Sequence, residues 1–207
     1  NIFMKIDNLF NKLKPNYLIV QGDTCTSLIS AISAFYNKIK IFHIEAGLRT
    51  NNIYFPWPEE INRQFISKIT FHNFAPTKNA KKNLINEGFE KDKITIVGNT
   101  VIDLLFMTLN LLKKNKVIQK KLSKKYQFLN HNKFYILITV HRRENFGVKT
   151  LEIFRAINKI SKDKNIHIIY CQHKNAKIQK IKKPILRNKE NITFLPGLDY
   201  NEFIYIM

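Results

Sequence analysis

Short apolar strands alternate with amphipathic helices along almost the whole chain, and that alternation limits the fold more than any other feature. Tyr17 to Val20 reads as a buried strand, and Leu28, Ile29, Ile32, Phe35 and Tyr36 recur behind it at helical spacing. Ile39 to Ile44 is a second strand. Pro58 opens a helix whose first turn carries Glu59 and Glu60, a good start signal. Phe71 to Ala75 is strand-like, and Thr77 then stands as N-cap of a helix through Leu84. Ile94 to Val97 is another strand, followed by a helix near Val101 to Leu112. A lysine-rich stretch of weak periodicity, Lys113 to Lys133, precedes a restart: strand Phe134 to Val140, helix Leu151 to Ile160, strand Ile166 to Cys171 and a short strand at Ile192 to Phe194. Such alternation predicts parallel sheets with helices on both faces. The restart predicts two α/β domains, 1–115 and 131–207, joined by a connecting segment at 116–130.

Composition removes several classes. No apolar run approaches the roughly 20 residues that cross a bilayer, and no charged region leads into a short apolar stretch as a secretory signal would. Two cysteines, Cys25 and Cys171, make neither a disulfide framework nor a metal cluster; as buried thiols they fit a reducing cytoplasm. The formal net charge of +20 invites a nucleic-acid reading. The lysines, however, are spread along the whole length, and no aromatic-rich strand or helix-turn-helix pattern is present to hold bases. Arginine is used differently. Only six of the 35 basic side chains are arginines, and four of them (Arg49, Arg63, Arg142 and Arg143) fall in the short windows 43–50, 58–63 and 141–145. A rigid bidentate fork suits phosphate or carboxylate at such places.

In open parallel sheets, ligands bind beyond the carboxyl ends of the strands. The polar segments that follow apolar runs here are Gln21-Gly22-Asp23-Thr24, Glu45 to Thr50, His141 to Asn145 and His173-Lys174-Asn175. Four of them at one rim imply a cleft. Each candidate has a plainer reading beside the functional one. Asp23 could cap the helix that follows it. Glu45 could pair with Arg49. His43 and Glu45 alternate onto one strand face, but two ligands without a third make a poor metal site. Glu59 and Glu60 complement a helix dipole, and Arg63 stands four residues after Glu59, where an ordinary ion pair is available. His141 with Arg142 and Arg143 is harder to explain as packing: a histidine titrates near neutrality, and paired guanidiniums suit a diphosphate.

The motifs GDTCTS at 22–27, HIEAGLRT at 43–50, PWPEEINR at 56–63, FAPT at 74–77, VGNTVID at 97–103 and HRRENFG at 141–147 occur in one order. Together they resemble the bacterial UDP-N-acetylglucosamine 2-epimerases, especially the non-hydrolysing kind, from about Pro15 to the end of the chain. The resemblance implies a glycosyltransferase-B-type architecture of two Rossmann-like domains, both incomplete here. It implies interconversion of UDP-N-acetylglucosamine and UDP-N-acetylmannosamine by elimination and re-addition of UDP, with no metal and no redox cofactor. Asp23, Glu45 and Glu59 match the family's proposed catalytic carboxylates, and His141 its catalytic histidine. Several carboxylates in one cleft would raise at least one pKa toward neutrality. Arg49, Glu60, Arg63, Arg142, Arg143 and His173 are the expected contacts to UDP-sugar. Arg142, His173 and one of the paired glutamates match a second, regulatory UDP-N-acetylglucosamine in the family. The sequence departs from the family there, with Cys171, Gln172 and Ala176 where prolines are usual. Relatives form homodimers, so a homodimer is expected, with no nucleic acid and no membrane as partner.

The chain starts at Asn1 rather than a methionine and stops within an apolar-rich segment, so both ends read as cuts. The first strand with its basic loop is expected before Asn1, the glycine-rich uridine loop after Met207, and the isolated chain is expected to turn over little substrate. Three alternatives stay open: a hydrolysing 2-epimerase that releases UDP and N-acetylmannosamine, a 2-epimerase of a UDP-diacetamido sugar, and a non-catalytic basic binding protein.

Overall fold

The computed structural model describes residues 2–129, 133–140, 147–172, 176–186 and 189–207. Contacts divide the chain into two units, Asn1–Thr100 and Val101–Met207.

In the first unit, helix α1 (Ile2–Leu13) precedes β1 (Tyr17–Gln21), α2 (Cys25–Tyr36), β2 (Lys40–Ile44), α3 (Glu59–Ile69), β3 (His72–Ala75), α4 (Lys78–Asn86) and β4 (Ile94–Ile96). The four strands form one parallel sheet in the order β1-β2-β3-β4. Its register pairs Gln21 with Ile44, Ile44 with Phe74 and Ala75 with Ile96, so the carboxyl ends of all four strands lie along one rim. Thr77 caps α4 through the Ala80 amide, as the sequence predicts, and Thr24 caps α2 through the Ser27 amide. Each cap satisfies a backbone N–H that has no partner inside its helix.

Alternation along the strands sends Val20, Ile41, His43, Asn73, Ala75 and Ile94 to the buried side. There Val20 and Ile41 pack with Phe10, Ala31, Ala34 and Ile66 of α1, α2 and α3, while Ala75 and Ile94 pack with Ala80 and Leu84 of α4. The expectation of helices on both faces is not met by these helices. Right-handed crossovers between strands in consecutive order carry every connecting helix to the same side. The opposite face carries an aromatic row, with ring centroids of Tyr17 and Phe42 5.5 Å apart and of Phe42 and Phe74 6.1 Å apart.

The second unit holds α5 (Thr100–Lys114), α6 (Lys116–Lys125), β5 (Phe134–Thr139), α7 (Val148–Ile160), β6 (Ile166–Cys171), α8 (Ala176–Leu186), β7 (Ile192–Leu195) and α9 (Tyr200–Ile206). Its three strands are parallel in the order β5-β6-β7, and Phe154, Ile157, Ile168, Tyr170 and Ile178 build its core. The lysine-rich stretch read as a connector contains a real helix: Asn115 caps α6 by accepting from the Val117 and Ile118 amides. Leu112, Leu122 and Tyr126 then bury against Ile204 of α9. These contacts place α5 and α6 with the second unit, and the division falls after Thr100 rather than near 115. Among the described residues no helix is long and apolar enough to cross a membrane.

Gly47 fixes the path of the chain away from β2. It adopts φ +87°, and a Cβ there would stand 2.3 Å from the Ala80 carbonyl oxygen and 3.0 Å from Leu84 Cδ1. Gly88 shares that φ with open space around it. Gly47→Ala is therefore expected to cost more than about 2 kcal/mol of stability, against about 1 kcal/mol for Gly88→Ala, whose only cost is the left-handed backbone. Urea denaturation of the two variants checks this, and equal losses would refute it.

Candidate active site

The rim of the first sheet carries the predicted acids. β1 ends at Gln21, and Gly22 turns the chain with φ +66° while its amide donates to the Ile44 carbonyl at 2.9 Å. β2 ends at Ile44, and Glu45 itself takes a left-handed backbone, φ +67°. For a residue with a long side chain this conformation is uncommon, and such strain gathers at functional sites. It also breaks the strand alternation, and no group of three or more possible metal ligands occurs among the described residues. Glu45 Oε2 instead lies 3.6 Å from the position a Cβ on Gly22 would occupy, over the Gly22-Asp23 turn.

Asp23 is not the cap of α2, since Thr24 takes that role. Its carboxylate receives Arg63 Nη2 at 2.6 Å, and its backbone carbonyl receives Asn62 Nδ2 at 2.8 Å. Both partners lie on α3, the helix that Glu59 opens. Arg63 thus pairs with Asp23 across the fold and with Glu60 at 3.6 Å, rather than with Glu59 four residues earlier. Glu59 and Glu45 are half-buried, and neither has a hydrogen-bond or ion-pair partner among the described residues.

Glu60 has no solvent exposure. Its Oε2 accepts from the Thr50 amide at 3.1 Å and its Oε1 from Gln64 Nε2 at 2.9 Å. Burial pushes its pKa up, but the hydrogen bonds from Gln64 and Thr50 and the charge of Arg63 outweigh this, holding the carboxyl below its ordinary value. Arg49, expected to contact substrate, is turned inward. Its Nε and Nη2 fork onto Glu87 at 2.6 and 2.9 Å, and its Nη1 donates to the Leu48 carbonyl. Its side chain is 2% exposed, so the structure commits it to holding α4 against the loop after β2. Glu60 and Arg63 are likewise buried. His141, Arg142, Arg143 and His173, which follow β5 and β6 in sequence, lie outside the described residues.

Beneath this rim His43 is fully buried. Its Nε2 stands 2.8 Å from the Gly22 carbonyl oxygen. A carbonyl only accepts, so Nε2 carries the proton. Burial lowers the pKa to about 4, leaving a neutral strut under the Gly22-Asp23 turn.

A family model described as UDP-N-acetylglucosamine 2-epimerase matches residues 1–207. The chain belongs to the UDP-N-acetylglucosamine 2-epimerase family. A relative of that name from Campylobacter jejuni is 46% identical over 211 residues, covering 100% of this chain and 55% of the relative. One from Salmonella typhimurium is 38% identical, covering 94% and 52%. Among solved structures, the Neisseria meningitidis UDP-GlcNAc 2-epimerase bound to UDP-GlcNAc superposes with a TM-score of 0.95 at 37% identity, over 99% of this chain and 55% of that one. A Methanocaldococcus jannaschii UDP-GlcNAc 2-epimerase in complex with UDP-GlcNAc and UDP gives 0.81 at 32% identity, over 99% and 56%. The chain therefore spans about half the length of the relatives it matches, and its fold is the glycosyltransferase-B type expected.

Membership in the epimerase family does not by itself point to His43, Thr50, Asn62 or Gln64 as supports. Each stands within or beside a motif window, which was the only signal available for them.

The neutral His43 has a consequence for stability. Its folded-state pKa lies below that of the unfolded chain, so between about pH 6.5 and 4 the unfolded state binds the extra proton and stability falls as pH falls. The expected loss across that window is about 3 kcal/mol. His43→Gln, which keeps a donor for the Gly22 carbonyl, is expected to flatten it. Denaturation midpoints at pH 7, 5.5 and 4.5 test this, and a slope unchanged by the substitution would exclude His43 as its source.

Proposed function

We propose that the full-length protein interconverts UDP-N-acetylglucosamine and UDP-N-acetylmannosamine, with Asp23, Glu45, Glu59 and His141 as its acid and base groups. The observation that carries this reading is the gathering of Asp23, Glu45 and the Glu59 helix at one rim. Asp23 is clamped there, while Glu45 and Glu59 have no partner among the described residues. UDP-GlcNAc bound to the Neisseria relative and UDP-GlcNAc with UDP bound to the Methanocaldococcus relative support the substrate class.

The chemistry explains the acids. Inversion at C2 requires a carbon–hydrogen bond to break on one face of the ring and re-form on the other. In the elimination, the C2 proton passes to a base and the anomeric C–O bonding pair leaves with UDP, giving a 2-acetamidoglucal. Re-addition takes a proton from an acid on the opposite face while UDP rejoins C1. One group must therefore begin ionised and another protonated, and carboxylates with different partners meet that need. Asp23 is fixed against a guanidinium, while the side chains of Glu45 and Glu59 are half-buried and without a partner among the described residues. The same proposal takes the enzyme to be a homodimer that a second UDP-N-acetylglucosamine activates.

Incubation of the full-length protein with UDP-N-acetylglucosamine in deuterated water, followed by NMR, is expected to place deuterium at C2 of a UDP-linked sugar. Free N-acetylmannosamine with UDP would instead identify a hydrolysing enzyme. Glu59→Gln and His141→Ala are each expected to lower kcat by at least about 100-fold with the fold intact by circular dichroism. Near-normal turnover in both would remove these roles.

A further inference from the structure

We infer that Arg63 and Glu60 are positioning residues that act through Asp23 rather than contacts to the nucleotide sugar. The inference rests on the reading of Asp23 as a catalytic carboxylate. An arginine near a diphosphate enzyme's acids would ordinarily be assigned to phosphate, and its surroundings here argue otherwise. The residue is 9% exposed. One terminal nitrogen is spent on Asp23 at 2.6 Å and the other faces Glu60 at 3.6 Å, while Nε is enclosed with no partner among the described residues. A phosphate could reach this guanidinium only by displacing a short charge-assisted bond and leaving Asp23 without its counter-ion.

Glu60 completes the arrangement. It is sealed from solvent, bound to the Thr50 amide and to Gln64, and its remaining interaction is directed at Arg63. The order of support runs from the loop after β2, through Glu60 and Arg63, to Asp23 at the end of β1. Asn62, on the same turn of α3, holds the Asp23 carbonyl. The acid is therefore fixed at both its backbone and its side chain by one helix. Two carboxylates share one guanidinium, so the triad retains a negative charge. Such an arrangement fixes the Asp23 carboxyl in place, and small errors in the position of a reacting group are costly in rate.

The test uses the full-length enzyme and steady-state kinetics of Arg63→Lys, Glu60→Gln, Asp23→Asn and the double variant Arg63→Lys/Asp23→Asn. Arg63→Lys and Glu60→Gln are expected to lower kcat by about tenfold or more while KM for UDP-N-acetylglucosamine stays within about threefold. In the Asp23→Asn background, Arg63→Lys is expected to change the residual C2 exchange rate by less than about twofold, because a residue acting through Asp23 has nothing left to act on. A KM raised about tenfold with kcat preserved would make Arg63 a substrate contact and overturn the inference, as would independent, multiplying losses in the double variant. If Arg63→Lys does not fold, Glu60→Gln alone and in the Asp23→Asn background applies the same criteria. Near-normal kcat for Asp23→Asn would instead strike the catalytic reading itself, and a crippled Asp23→Asn beside an unaffected Arg63→Lys would strike only the inference.

Discussion

The ion triad of half-buried Asp23 with buried Arg63 and Glu60 is the constraint on which the rest of the candidate site depends. It joins the end of β1, the loop after β2 and the first two turns of α3, three segments that the parallel sheet brings near one another without fixing their relative heights. An arginine enclosed to this degree is tolerable only because both terminal nitrogens face carboxylates. Removing one partner of such a pair typically costs about 3–5 kcal/mol. The triad therefore gives the acidic rim one geometry. Arg49 and Glu87 repeat the device a short distance away, tying the same loop to α4.

Around this constraint the sheet supplies the rest. Parallel register aligns the strand ends, so each loop leaves from a common edge and each helix begins there. Left-handed turns at Gly22, Glu45 and Gly47 let the chain leave β1 and β2 sharply, and only at Gly47 does the approach of another backbone make glycine obligatory. Asp23 and Glu45 follow adjacent strand ends because β1 and β2 pair directly, although 22 positions separate them in the sequence.

Local pattern carried most of the fold. Short apolar runs marked the described strands to within a residue or so, because alternation and hydrophobicity are properties of adjacent residues. α6 was less visible, since its few apolar positions, Val117, Ile118 and Leu122, are diluted by lysines. Its Asn115 cap becomes evident only in the structure. Ion pairing escapes local pattern for a related reason. Sequence spacing offers Arg63 a partner in Glu59 and Arg49 a partner in Glu45. The structure gives them Asp23 and Glu87, 40 and 38 positions away. Those choices follow from which elements become neighbours, and spacing along one helix does not contain that information. The acids themselves stood out because Asp23 and Glu45 lie just past apolar runs and Glu59 opens a helix.

His43, buried and uncharged beneath the rim, adds no cation to a region where carboxylates already outnumber guanidiniums. The chain as a whole carries a formal +20. The far field and the near field therefore have opposite signs. In salt the far field fades beyond about 8 Å, so the described rim sets its own local sign: it disfavours anions and tolerates neutral groups, whatever the charge carried elsewhere on the chain.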